Sequence, residues 1–150
     1  MAIAYLGLGS NLNIPKSQLL RALHYIHKLP RTHILARSAM HPTIPVGVKI
    51  QPRYLNMVIK IKTALPPLTL LRYCQTIEYK QKRIRKQHWG ARTIDIDILL
   101  YDQKQMYHPH LKIPHPFLLQ RDFVLIPLLE ISPHVCLPNG QKMAEVIAKH

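Results

Sequence analysis

The chain has 150 residues, 47% of them hydrophobic, with 21 Lys+Arg against 7 Asp+Glu and a formal net charge of +14. That length and apolar share suit one globular domain over residues 1–150 and exclude intrinsic disorder. No run nears the roughly 18 apolar residues of a membrane span. Met1-Ala2-Ile3-Ala4 lacks the basic start of a signal peptide, so a cytoplasmic protein is expected.

Cys74 and Cys136 form no C-x-x-C pair, which speaks against a disulfide framework or a cysteine zinc site. The positive excess attracts phosphate groups, whether of nucleic acid, anionic lipid or a nucleotide. It names a class of ligand, not a ligand.

Residues 2–8 are short, apolar and β-compatible, and they run into Gly7-Leu8-Gly9-Ser10-Asn11, a cluster of turn formers. A strand followed by a turn is predicted. The cluster lacks the third glycine of G-x-G-x-x-G and the G-K-[ST] of a Walker loop, so it is not read as a phosphate loop. Over 15–29, Leu19, Leu20, Leu23, Ile26 and Leu29 recur at helical steps until Pro30 stops the pattern. Residues 32–40 can form a second strand, and 41–52, with Pro42, Pro45 and Pro52, a long loop.

Over 54–64, Leu55, Met57, Ile59 and Ile61 share one face, leaving Asn56, Val58, Lys60 and Lys62 on the other. This predicts a third strand with one wetter face. From Pro67 a second helix runs through Leu70, Leu71, Cys74 and Ile77 into a basic stretch over 80–86, a pattern that is more often a solvated helix face than a binding site. Residues 93–101 are the clearest strand. Pro109, Pro114 and Pro116 mark an irregular segment, and 124–131 and 143–147 read as helical turns. The order β-α-β-β-α-β predicts an α+β, ferredoxin-like α/β sandwich with a mainly antiparallel sheet and long catalytic loops.

Arg92-Thr93-Ile94-Asp95-Ile96-Asp97-Ile98 carries the most chemistry. In a strand, Asp95 and Asp97 share one face while the isoleucines enter the core. Two readings stand. The carboxylates can hold a pair of Mg²⁺ ions, which oxygen ligands suit, or they can form surface ion pairs with nearby arginines. Arg83, Arg85 and Arg92 lie just upstream, and their forked guanidinium groups suit phosphate oxygens. The lone tryptophan, Trp89, can cover a flat ring or fold back as a loop residue. Tyr54, Asn56 and Phe123 would suit a heterocycle with mixed edges, although ordinary packing also accounts for them. His108, His110 and His115 fit no usual zinc spacing and read as loop histidines near phosphate.

These blocks resemble the 6-hydroxymethyl-7,8-dihydropterin pyrophosphokinase family over nearly the whole chain. The carriers are Tyr5 with Gly7-Leu8-Gly9-Ser10-Asn11-Leu12, Gln51-Pro52-Arg53-Tyr54-Leu55-Asn56, Arg83-Ile84-Arg85 with Trp89-Gly90-Ala91-Arg92-Thr93-Ile94-Asp95-Ile96-Asp97-Ile98-Leu99, Ile113-Pro114-His115 and Arg121-Asp122-Phe123. The resemblance implies transfer of pyrophosphate from ATP to the pterin's hydroxymethyl oxygen, with release of AMP and no covalent enzyme intermediate. It implies two Mg²⁺ ions held by Asp95 and Asp97, with Arg83 and Arg92 joining these aspartates in catalysis. ATP would meet Gln75, Glu78, Arg83, Arg85, Trp89, Arg92, Ile98, His115 and Arg121. The pterin would meet Thr43, Pro45, Val46, Tyr54, Asn56, Trp89, Asp95 and Phe123. The loop holding Arg85 and Trp89 would close over both substrates.

The chain departs from the family pattern in places. The segment before Trp89 is one residue shorter and that before Thr43 one longer, and Ile44 stands where proline is common. His110 and Lys112 replace an arginine and a threonine near the nucleotide, and Pro116 a larger side chain. A monomer with no membrane partner and no specific nucleic acid is expected. An RNA-binding module would leave the aspartate pair unexplained, and the chain shows no RNP-type aromatic strand. A metal-dependent nuclease would use the same residues but ignore pterin.

Overall fold

A computed structural model describes residues 1–43, 54–82 and 93–148. Its strands are β1 (Ala2–Ser10), β2 (Thr32–Arg37), β3 (His41–Thr43), β4 (Tyr54–Thr63), β5 (Asp95–Tyr101), β6 (Met106–His108) and β7 (Leu111–Ile113). The helices are α1 (Pro15–His27), α2 (Pro67–Lys82), α3 (Asp122–Ile131) and α4 (Met143–Ala148), with a 3₁₀ turn at Leu118–Gln120. The main sheet has the order β2-β4-β1-β5, every neighbouring pair is antiparallel, and β3 adds to β4. Numbering only β1, β2, β4 and β5, this is the split β-α-β order of the expected ferredoxin-like fold.

Period-2 alternation decides how the sheet is covered. Ala4, Leu6 and Leu8 of β1, Met57, Ile59 and Ile61 of β4, and Ile96 and Ile98 of β5 form one core with Leu19, Ala22, Leu23 and Ile26 of α1 and Leu70, Cys74 and Ile77 of α2. Tyr5, Val58, Leu99 and Leu100 on the other face form a second core with Leu125 and Leu128 of α3 and Met143 and Val146 of α4. The sandwich therefore has a helical layer on both faces. The face of β4 expected to be wetter is so only in part: Val58 is buried under α3, whereas Lys62 is exposed. A single strand's alternation shows which side chains share a face, but not what later arrives to cover it.

Pro15 opens α1, its fixed φ and missing N–H suiting the first helical position. The helix ends at His27, two residues before the end of the pattern, because Lys28 and Leu29 bond back to the Tyr25 and Ile26 carbonyls at 3.2 and 3.1 Å in a tighter last turn. Gln81 of α2 donates to the Gln18 carbonyl and side-chain oxygen of α1, at 3.0 and 2.9 Å, joining the two helices. Among the described residues no helix is long and apolar enough to cross a membrane.

Three expectations are corrected. Gly7-Leu8-Gly9-Ser10 lies within β1, with Gly7 to Gly9 paired on both sides and Ser10 paired with β4, and is not a turn. His41–Thr43, expected in a loop, is a strand, because β4 extends past β2 and offers its free edge to residues 41–43. The segment expected to be irregular holds a hairpin, with Pro109 and His110 making the turn between β6 and β7. Proline at a turn position keeps its ring out of the ladder, so the hairpin tolerates it.

Candidate active site

Asp95 and Asp97 both lie in β5, and their neighbours across the sheet are Gly9 and Gly7 of β1. Gly9 in turn pairs with Asn56 of β4, and Asn56 with His41 of β3. Directly opposed residues share a face, so Asp95, Gly9, Asn56 and His41 form one row. With strands about 4.8 Å apart, Asp95 and Asn56 stand roughly 10 Å apart with a glycine between them. This row and its neighbour interrupt the second core: where Tyr5, Leu99 and Leu100 pack under helices, Gly7 and Gly9 leave the sheet low between polar side chains.

The glycines have separate reasons. A Cβ on Gly9 would stand 2.8 Å from the Asn56 Oδ1, so the missing side chain is what lets the Asn56 amide lie across β1. A Cβ on Gly7 would meet the Leu99 side chain at 3.4 Å, an ordinary van der Waals contact. The sequence reading missed both roles, although the alternation of Tyr5, Gly7 and Gly9 against Ala4, Leu6 and Leu8 carries the signal. Asn56 donates its amide hydrogen to the Thr43 hydroxyl, which itself lies 3.5 Å from the Tyr54 carbonyl. Thr43, Tyr54 and Asn56 are thus brought together at the β3–β4 end.

Along the outer edge of β5 lies a cleft of about 250 Å³ lined by Leu71, Ile96, Asp97, Ile98, Pro109, His110, Leu111, Lys112, His115 and Pro116. It places Asp97, Ile98 and His115 together, and the replacements His110, Lys112 and Pro116 line it too. Gln75 is exposed on α2, one turn beyond Leu71. Glu78, two turns beyond Leu71, accepts the Ile96 N–H at 2.9 Å. That bond satisfies the edge strand between the two aspartates, a structural use the sequence did not suggest.

His115 is tied to the sheet by its own N–H, which bonds the Leu99 carbonyl at 3.0 Å, and its Nδ1 accepts the Phe117 N–H at 3.2 Å. Burial pushes its imidazole below the ordinary 6.5, Asp97 opposes that shift and Arg121 adds to it. The neutral ring with Nδ1 occupied carries its proton on Nε2, a donor for a phosphate oxygen. Arg121 lies over the rings of Phe117 and Phe123, 5.0 and 5.7 Å from their centres, which fixes its guanidinium by cation–π contact. Phe123 is thereby placed beside Arg121 at the start of α3. Cys74, buried under the sheet, has its thiol pushed up to about 12 by burial and by the charges of Glu78 and Asp97, and stays protonated.

Arg83, Arg85, Trp89, Arg92, Pro45 and Val46 lie outside the described residues. Among the described residues no cluster of three or more His, Cys, Asp or Glu forms a metal site. The donor set of Asp95 and Asp97 is all carboxylate oxygen. That suits Mg²⁺, which keeps much of its coordination for water and substrate phosphates and takes only one or two carboxylates from a protein. The residues fit the ion.

A carboxylate pair on a sheet face, next to a cleft lined by imidazole and ammonium groups, defines a site suited to phosphate-transfer chemistry. Residues 5–133 match the family model described as 7,8-dihydro-6-hydroxymethylpterin-pyrophosphokinase. The chain is 45% identical over 147 residues to the 2-amino-4-hydroxy-6-hydroxymethyldihydropteridine pyrophosphokinase of Haemophilus influenzae, covering 98% of this chain and 92% of that protein. It is 42% identical over 144 residues to the protein of the same name from Pseudomonas aeruginosa, covering 96% and 89%. The fold matches the HPPK-DHPS protein of Plasmodium falciparum with a TM-score of 0.75 at 15% identity, over 99% of this chain and 42% of that one. The chain belongs to the 7,8-dihydro-6-hydroxymethylpterin-pyrophosphokinase family.

Proposed function

We propose that the protein transfers the terminal pyrophosphoryl group of ATP to the hydroxymethyl oxygen of 6-hydroxymethyl-7,8-dihydropterin, releasing AMP, as a step of folate biosynthesis. The observation that carries this reading is the juxtaposition of Asp95 and Asp97 with the cleft of His110, Lys112 and His115 along one strand. In this reading the triphosphate lies in that cleft, with the base against Ile98 and the cations facing its oxygens. Asp95 and Asp97 would hold two Mg²⁺ ions, which when bound neutralise the phosphate charge and favour ionisation of the attacking hydroxyl.

The chain's own groups then orient the reaction. His115 donates from Nε2 to a phosphate oxygen, and Arg121, held by its two phenyl rings, supplies a fixed positive charge beside it. Gln75 and Glu78 flank the nucleotide from α2. The pterin lies over the glycine gap of β1, where Asn56 and Thr43 read its edge and Tyr54 and Phe123 cover its faces. Arg83, Arg85, Trp89 and Arg92, with Pro45 and Val46, would complete the enclosure and exclude water. Both thiols are free, which agrees with a reducing cytoplasm, and the enzyme is proposed to act as a monomer without a membrane or nucleic-acid partner.

The test is product analysis after incubation with ATP, Mg²⁺ and the hydroxymethyl pterin. AMP and pterin diphosphate in equal amounts are expected. ADP as the nucleotide product, or no turnover by the folded protein, would overturn the proposal.

A further inference from the structure

Glu130, in the last turn of α3, reaches the other end of the glycine gap. Its Oε2 accepts the Ala39 N–H at 2.6 Å and its Oε1 lies 2.7 Å from the His41 Nε2. The hydrogen bonds from Ala39 and then His41 hold its carboxyl below the ordinary range, so at neutral pH it is ionised and accepts only. His41 Nε2 is therefore the donor. One carboxylate thus grips the chain at two points flanking Met40.

The binding edge begins at that grip. His41 opens β3 and pairs with Asn56, and two residues on Thr43 receives the Asn56 amide hydrogen. Ser38 completes the anchorage on the near side, its N–H bonding the Val58 carbonyl at 2.9 Å and its hydroxyl accepting the Val58 N–H at 3.0 Å. β3 has only three residues, so it contributes few ladder bonds of its own.

We propose that Glu130 is a positioning residue for pterin recognition: by clamping residues 39–41 to α3 it sets β3 on β4, so that Thr43 orients the Asn56 amide across Gly9. The residue touches neither substrate; it acts through Thr43 and Asn56. The inference rests on the proposed role of Asn56 in reading the pterin edge.

The test is steady-state kinetics of the full chain with Glu130→Ala and Glu130→Gln, measuring KM for each substrate, kcat and Tm. Glu130 is exposed, so both variants are expected to fold, which the Tm checks. In Glu130→Ala the pterin KM is expected to rise roughly tenfold, the scale of a lost charge-assisted hydrogen-bond pair, while the ATP KM stays within about twofold. Glu130→Gln falls between, because its one carbonyl oxygen can accept one of the two bonds. An unchanged pterin KM in an active Glu130→Ala variant would overturn the clamp and leave the function standing. A parallel rise of both KM values with a lowered Tm would make Glu130 merely structural and overturn it as well. No turnover by the wild-type protein would instead overturn the functional reading, and the clamp with it.

Discussion

The two faces of the main sheet are made by the same strands, yet they differ in what they carry. Under α1 and α2 the inward positions Ala4, Leu6 and Leu8 of β1, Met57, Ile59 and Ile61 of β4, and Ile96, Ile98 and Tyr101 of β5 form an unbroken apolar run. On the opposite face the pattern changes part-way: Tyr5, Val58, Leu99 and Leu100 pack against α3 and α4, then Gly7, Gly9, Asn56, Asp95 and Asp97 take over. A site is obtained here by stopping a core short. The continuous face supplies stability, while the interrupted one uses the rigidity of the same strands to hold polar groups that packing would not have chosen.

That division is open to attack from both sides. The largest effect belongs to Asp97→Asn, which removes the charge of one carboxylate proposed to hold metal. Turnover should fall about a thousandfold with Tm nearly unchanged, measured by AMP release and thermal melting. Near-normal rates in the folded variant would sink the carboxylate-pair argument. On the other face, Ile59→Ala should cost about 2–5 kcal/mol of unfolding free energy, since Ile59 is fully buried. Both KM values should hold at a temperature where the variant is folded, and a specific loss of substrate binding would show that the faces are not separable. Gly9→Ala lies on the boundary. Its methyl would displace the Asn56 amide, so a rise in pterin KM of roughly tenfold is expected with little change in the ATP value.

The smallest effect is that of His115. Its folded pKa is depressed below 6.5, chiefly by burial. As pH falls through 6.5 the unfolded chain takes the proton first, so stability declines until the lower folded value is passed. His115→Gln should therefore lose less stability than the wild type between pH 7.5 and 5.5, read as the shift of the denaturant midpoint. Equal shifts would mean that the ring is not desolvated.

The elements with their own periodicity were legible: β1, α1, β4, α2 and β5 follow from apolar spacing, and the aspartate pair from the i, i+2 rule. The residues that needed a partner from elsewhere were not. β3 exists because β4 is long, Val58 is buried because α3 arrives 64 residues later, and Gly7 and Gly9 look like turn formers until both neighbouring strands are in place. Glu78 and Glu130 belong to the same group. Each is a helix carboxylate whose target is a backbone N–H distant in sequence, and no local pattern announces such a bond.

The strand carrying the aspartates is also the last in the sheet. A terminal strand offers unpaired N–H and C=O groups to any extended segment that passes, which is how sheets of separate molecules join into aggregates. Charged side chains such as Asp95 and Asp97 discourage this by repulsion and desolvation cost, and here the backbone itself is guarded as well. Glu78 occupies the Ile96 N–H between the two aspartates, so an incoming strand would have to break a charge-assisted bond before making its first one. The edge beside the proposed substrate cleft is thereby guarded at the backbone without a side chain standing in the cleft.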